Sequence, residues 1–278
     1  MTMSGPAPAA APRAHPPSNL TVLTARRTRL PTFPFGRERD AVGREGLARH
    51  LSPALHLKAN AELPPTAGAG LLTVLHGLIA RYALSRNGKR RIVGLLAAGD
   101  VCCDRAFCEP EADGFVALTD CVVAGLPVAD AYRLVQECPT VGWAIWRVGA
   151  RSSGIYTEWL RTQSLPGENR LAHRLCEVMS RTACAQSLTG VLVPRFRLES
   201  WADMTALTAV HVSRCLTAMA GTGLIALETR SIRIPEPAAL AAYAEFDLTY
   251  LWPNAPLPAD ELGRAIAQGH PELGTPFD

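Results

Sequence analysis

Residues 198–234, LESWADMTALTAVHVSRCLTAMAGTGLIALETRSIRI, limit the fold of this chain more than any other stretch. Trp201, Ala202, Met204, Leu207, Val212 and Cys215 fall at the inward positions of two short helices that press together. Ala206 sits at the turn between them, and the small Ala202 lets the second helix cross the first closely. The first helix is predicted over about Ser200 to Thr205. The second runs over about Ala209 to Met219, with Thr208 as its N-cap. Gly221-Thr222-Gly223 stops it. Leu224 to Ile234 then reads as two short strands turning at Glu228-Thr229-Arg230-Ser231. The whole is a helix-turn-helix followed by a two-stranded wing.

The second helix of that unit turns Ala209, Val210, His211, Ser213, Arg214 and Thr217 to solvent, with no acid among them. An exposed helix start carrying Thr, His and Arg suits a DNA major groove and its flanking phosphates. Arg230 and Arg233 on the wing are available for phosphate. Local charge agrees with this. Pro139 to Ile234 holds eleven arginines against six acids, whereas Pro235 to Asp278 holds one arginine against seven acids. The formal net charge of +3 names no partner by itself. A helical hairpin with no nucleic-acid role fits the same two-helix pattern.

Upstream, Val141, Ile145, Val148, Ser152, Ile155 and Trp159 recur at spacings of four and three, the a/d seam of one long helix. That seam is expected to face an identical seam in a homodimer; the same spacing also fits a helix packed inside one subunit. Pro166-Gly167 ends this region. Asn169 to Ala183 reads as a second amphipathic helix, with Leu171, Leu175 and Val178 on one face.

The first half reads as a compact antiparallel β unit. "LLTVLHGLIARYALS" is strand-rich with Gly77 at a bulge or turn, and Asn87-Gly88 predicts a two-residue hairpin turn. "AAGD" at 97–100 closes another turn, and Gly114 to Pro127 gives two more strands. Arg44 to Leu51 is predicted as a short helix. The Pro/Ala-rich residues 1–40 read as a leader without fold.

Eight cysteines occur, Cys102, Cys103, Cys108, Cys121, Cys138, Cys176, Cys184 and Cys215. No secretory segment and no run of about 18 apolar residues accompanies them, so they are read as thiols of an intracellular protein that no membrane holds. Cys102, Cys103, Cys108 and Cys121 could gather at one turn around zinc or a cluster, but packing is the expected role. His56 and His76 as haem ligands, or His173 with Cys176 as a metal pair, are weaker still. No dinucleotide loop, phosphate loop, Gly-x-Ser-x-Gly or paired metal motif points to an enzyme; "AGAG" at 67–70 precedes a strand.

From about Arg44 to Trp252 the chain resembles the Crp/Fnr family of transcription regulators. The strongest parts are "LHGLIARYALSRNGKRRIVGLLAAGDVC", "NRLAHRLCEVMSR", "LTAVHVSRCLTAMAGTGLI" and "LAAYAEFDLTYL". The resemblance implies an α+β chain: an N-terminal antiparallel β-roll (cupin-like jelly roll), a long dimerisation helix and a C-terminal winged helix-turn-helix. The implied segments are a leader at 1–40, a sensor at 41–137, the dimer helix at 138–164, the winged helix at 165–236 and a tail at 237–278. It implies a homodimer on palindromic double-stranded DNA, with RNA polymerase as a further partner. The family's Ser/Thr, acid and Arg of the recognition helix fall on Thr208, Val210 and Arg214. Arg214 is then expected on a guanine or a phosphate and Thr208 on a phosphate. Ala209, His211, Ser213 and Arg230 complete the expected DNA contacts.

Three departures from the family pattern matter. Val210 stands where an acid is frequent, so a cytosine contact is absent and a thymine methyl becomes the expected target. Ala206 stands where the turn glycine is usual. The β-roll is shortened after Asp100. The stretch "GDVCCDRAFCEPEADGFVALTD" lacks the family's Gly-Glu pair with a following Arg-x-Ala, and Arg105 is a lone base, so no cyclic nucleotide and no other cofactor is expected. A thiol- or metal-responsive sensor and an interaction module that has lost DNA binding remain open alternatives.

Overall fold

The computed structural model describes residues 22–23, 50–64, 70–102, 113–182, 186–187 and 190–251. Eight strands come first: β1 (Val22–Leu23), β2 (Ala54–Leu57), β3 (Leu71–His76), β4 (Leu78–Leu84), β5 (Arg90–Ala97), β6 (Val101–Cys102), β7 (Asp113–Ala117) and β8 (Cys121–Leu126). They form two antiparallel sheets, ordered β1-β2-β8-β3-β6 and β5-β4-β7. Leu57, Leu72, Val74, Ile79, Phe115 and Val123 fill the space between the sheets.

Gly77 is the corner where the chain leaves one sheet for the other. Its φ is +84°, and a Cβ there would lie 2.3 Å from the Asp120 carbonyl oxygen. The β4–β5 hairpin differs from the sequence expectation. Ser85 N–H donates to the Lys89 carbonyl and Gly88 N–H to that of Ser85, and only Gly88 has positive φ, +75°. Three residues, not two, make the loop, a turn closed by a left-handed glycine.

The helices follow: α1 (Val128–Glu137), α2 (Pro139–Arg161), α3 (Gly167–Arg181), α4 (Leu198–Thr205), α5 (Ala209–Gly221) and α6 (Pro237–Tyr243). Strands β9 (Gln186–Ser187), β10 (Gly190–Pro194), β11 (Ala226–Leu227) and β12 (Ser231–Ile234) build a third sheet, ordered β11-β12-β10-β9. Leu171, Leu175 and Val178 of α3 are fully buried under it. Of the expected helix over Arg44 to Leu51, only His50 and Leu51 lie within the described residues.

Two expectations are corrected. The Val141–Trp159 stripe does not face outward as a dimer seam. Val141 packs with Leu71, Leu126 and Leu134, with Ile145 and Val148 beside it. Ile155 and Trp159 belong to the core built on α3, and Ser152 spends its hydroxyl on the Val148 carbonyl. The stripe is apolar because the chain's own two halves cover it. Residues 237–251 are likewise no tail: Leu240, Ala244 and Leu251 are completely buried.

Where α2, α3 and the sensor meet, charged groups lie inside the protein. Trp159 Nε1 donates to Glu177 at 2.7 Å, and the Arg174 guanidinium lies 3.8 Å over the Trp159 ring. Arg174 also donates to Glu177 and Thr162, and Arg181 to Glu177 and Asp100. Burial alone raises the Glu177 pKa, yet Arg181 and then Arg174 hold it below the usual carboxylate range. This network ties α3 to α2 and to Asp100 of the β unit.

Candidate nucleic-acid interface

The α4–α5 unit is held from beneath by Trp201, Met204, Val212, Cys215, Leu216 and Met219, all buried. Trp201 stacks on Phe196 with ring centroids 5.0 Å apart. Leu207 is half-buried at the turn. The turn residue Ala206 adopts the left-handed region, φ 58° and ψ 26°. Arg170 braces the turn by donating to the Thr205 carbonyl at 2.7 Å.

Thr208 caps α5: its hydroxyl accepts from the His211 amide at 3.2 Å. The remaining amides of the first turn point outward at the positive end of the helix dipole, a disposition that suits phosphate. Thr208, Val210, Ser213 and Arg214 are exposed, and Ala209 is half-exposed. Val210 is 70% exposed, an unusual place for a branched apolar side chain. His211 is only half-exposed; its Nε2 lies against the start of α3, where a Cβ added at Gly167 would come within 3.1 Å of it. It is therefore a packing residue as much as a reading one.

On the wing, Arg230 is exposed. Arg233 is half-exposed, with its Nε donating to Glu228 at 3.1 Å. Ser231 and Arg233 hold the Glu228 carboxyl below its ordinary range. Two cations escaped the sequence analysis. Arg195, anchored to the Glu228 carbonyl at 2.7 Å, and Arg197, the N-cap position of α4, are both exposed. The signal was present as "PRFR", alternating arginines at the exit of a strand. Arg195, Arg197, Arg214 and Arg230 are thus four exposed cations of the winged unit.

Among the described residues no group of three His, Cys, Asp or Glu could hold a metal ion. Cys102 and Cys121 are both buried; the Cys121 thiol donates to the Leu78 carbonyl at 3.1 Å, and burial pushes its pKa up. Cys103, Cys108 and Arg105 lie outside the described residues. His173 and Cys176 are buried on α3; the His173 ring meets Glu158 at 3.0 Å, and burial raises the Cys176 pKa. No described helix is long and apolar enough to cross a membrane.

Residues 66–138 match the cyclic nucleotide-binding domain family, and residues 169–243 match the Crp-like helix-turn-helix domain family. The chain belongs to the Crp/Fnr family. Solved structures share the whole arrangement. FixK2 from Bradyrhizobium japonicum aligns at 17% identity over 69% of this chain and 96% of its own, with a TM-score of 0.57. The c-di-GMP responsive global regulator CLP from Xanthomonas campestris aligns at 18% identity over 70% and 99%, with a TM-score of 0.58. A transcriptional regulator of the CRP family from Thermus thermophilus aligns at 22% identity over 69% and 97%, with a TM-score of 0.54. No curated protein matches the chain in sequence. As a Crp/Fnr protein the chain is a DNA-binding transcription regulator and not an enzyme.

Proposed function

We propose that this Crp/Fnr protein works in the cytoplasm as a homodimer that reads a two-fold symmetric DNA site without a cyclic nucleotide. The observation that carries the reading is the outer face of α5. Thr208, Val210, Ser213 and Arg214 are exposed together with no acid among them, and the same winged unit exposes Arg195, Arg197 and Arg230. Arg214 is the base-reading cation, Thr208 and Arg230 take phosphates, and Val210 with Ala209 meets a thymine methyl.

The dimer face is the side of α2 that the chain leaves open. Trp146, Ala150, Ser153, Thr157 and Leu160 are all exposed and recur at spacings of four and three, about 140° around the helix from the buried stripe. Trp146 is 63% and Leu160 75% exposed. The small residues between them let a second helix approach closely. A second copy on that face would set the two α5 helices for successive major grooves.

The absence of a cyclic nucleotide rests on the sequence between Gly99 and Asp120, which offers no Gly-Glu pair and no following Arg-x-Ala for ribose and phosphate. Selection of bound sequences from random duplexes tests the whole reading. Enriched two-fold palindromes with half-site centres about 10 base pairs apart, or a multiple of that, are expected. Their enrichment should be unchanged by cyclic nucleotide. An unenriched pool would mean that the helix-turn-helix no longer reads DNA.

A further inference from the structure

From Leu78 to Ala97 the β4–β5 hairpin carries five cations, Arg81, Arg86, Lys89, Arg90 and Arg91, and no acid. Two are bound within the protein. Arg81 donates to the Tyr156 hydroxyl at 3.0 Å, and Arg90 Nε donates to Asp203 at 2.8 Å. Arg86 and Lys89 are exposed at the tip and Arg91 half-exposed beside them. With Ser85 and Asn87 they line one shallow groove. None of these three makes an ion pair among the described residues. The tip that holds them is hydrogen-bonded: the Ser85 hydroxyl meets Asn87 Oδ1 at 2.6 Å and the Lys89 carbonyl at 2.9 Å. Three like charges are thus held close together with no counter-charge, which favours an incoming anion.

The placement of the tip identifies that anion. The Arg90–Asp203 ion pair fastens the hairpin to α4, three residues before the turn at Ala206 and five before the cap at Thr208. In this motif the first helix crosses the DNA backbone while the second enters the groove. We propose that Arg86, Lys89 and Arg91 form a second DNA contact, made by the sensor half, on backbone phosphates beside the half-site that α5 reads. It rests on the reading of α5 as the recognition helix. One duplex would then be gripped by both halves of the chain, so that DNA itself favours the sensor orientation in which Arg90 meets Asp203.

The test uses the full-length protein and a duplex taken from the selection, with binding followed over a range of salt. The triple variant Arg86→Ala, Lys89→Ala, Arg91→Ala is expected to lose about tenfold in affinity at moderate salt. Its log-log salt slope should become shallower by about 0.9 for each phosphate given up, with the base preference unchanged. The charge-keeping pair Arg86→Lys, Arg91→Lys should stay within about twofold of wild type, because phosphate contacts ask mainly for charge. Neutralising single phosphates as methylphosphonates should reveal positions that cost the wild type affinity and leave the triple variant untouched. Arg214→Ala, by contrast, should relax the base preference and leave those positions sensitive, which separates this contact from the reading of α5. An unchanged affinity and salt slope in the triple variant overturns the proposal. So does a triple variant that binds DNA normally but fails in reconstituted transcription, since the tip would then meet an acidic protein surface.

Discussion

Asp100 and Arg181 stand 81 positions apart in the chain and 3.0 Å apart in space. The other carboxylate oxygen of Asp100 accepts from Arg151 on α2 at 3.2 Å. A single side chain at the β5–β6 turn therefore joins the sensor to the long helix and to the first helix of the DNA-binding half. The Arg181 side chain is 2% exposed and that of Asp100 14%. Burial pulls the Arg181 pKa down, but Glu177 and Asp100 outweigh it and the group stays charged. Asp100→Asn keeps the shape and removes the charge that the half-buried Arg151 and the buried Arg181 share, leaving Arg181 with Glu177. It is expected to cost about 3 kcal/mol, read as a lower urea midpoint at constant slope. A loss below about 0.5 kcal/mol, the scale of an ordinary surface change, would show that the pair carries little.

Ala206 is the residue whose backbone the fold strains. Its φ of 58° places a Cβ in the left-handed region, which costs about 1–2 kcal/mol for a residue other than glycine. Ala206→Gly relieves that and gives back part of it through a freer unfolded chain. The net expectation is a gain of about 0.5–1 kcal/mol in thermal or urea unfolding. The variant should leave the base preference untouched, because Ala206 lies in the turn before α5 and brings no polar side chain. A destabilised variant would show that the turn is not strained.

The winged unit was legible because its signals are local. The N-cap at Thr208, the inward set from Trp201 to Cys215 and the Gly-x-Gly stop all lie within a few residues of what they control. The phase of α2 was not legible. Both of its stripes repeat every four and three residues, and hydrophobicity selects Val141–Trp159, the one buried by the chain's own sensor and α3. The outward stripe is small or polar between its ends, with only Trp146 and Leu160 large and apolar. The Asp100–Arg151–Arg181 junction was invisible for another reason: its members come from three distant segments, and nothing local marks a carboxylate that will be covered. The three-residue hairpin loop shows the same limit on a smaller scale, since Asn87-Gly88 allows more than one turn and the bulge is set by the strands.

The proposed dimer face makes a paired prediction. Leu160 is 75% exposed, so Leu160→Arg should change the stability of the subunit by no more than about 0.5 kcal/mol. It should nonetheless shift sedimentation toward the monomer and weaken binding to a palindrome by at least about tenfold, through lost bivalency. Ile155→Ala should do the reverse, costing about 2–4 kcal/mol of folding with no specific effect on assembly. If Ile155→Ala dissociates a well-folded dimer and Leu160→Arg does not, the seam has been placed on the wrong side of α2.

Val210 is 70% exposed, and on the proposed reading it offers the groove a branched apolar surface where an acid would have accepted from cytosine. Replacing single thymines of the selected site with deoxyuridine removes only the methyl group. One position in each half-site is expected to lose several-fold in affinity for the wild type and nothing for Val210→Ala. Val210→Glu should move the preference at that position toward cytosine, a discrimination of about 1–3 kcal/mol. Equal binding of thymine and deoxyuridine at every position would remove Val210 from base reading without touching the role of Arg214.

His173 gives the protein an acid-side weakness. Its ring sits at 3.0 Å from Glu158, edge-on to Phe246 and stacked near Tyr250. Burial, and then the charge of Arg174, pushes its pKa down from the usual 6.5 to about 4. Above the unfolded value both states are neutral and the group contributes nothing. As pH falls below it, the unfolded chain takes up a proton that the folded one refuses. Stability then drops by about 1.4 kcal/mol per pH unit from this group until the folded ring titrates. Glu177 acts in the same direction lower down, because its depressed pKa gives a stability that is lost as its carboxylate takes up a proton. His173→Gln cannot titrate and keeps a donor for Glu158. Its stability between pH 6.5 and 4 should therefore fall less steeply than the wild type's, by about one proton's worth of slope. Parallel curves for the two proteins across that window would mean that the folded ring accepts its proton as readily as the unfolded one.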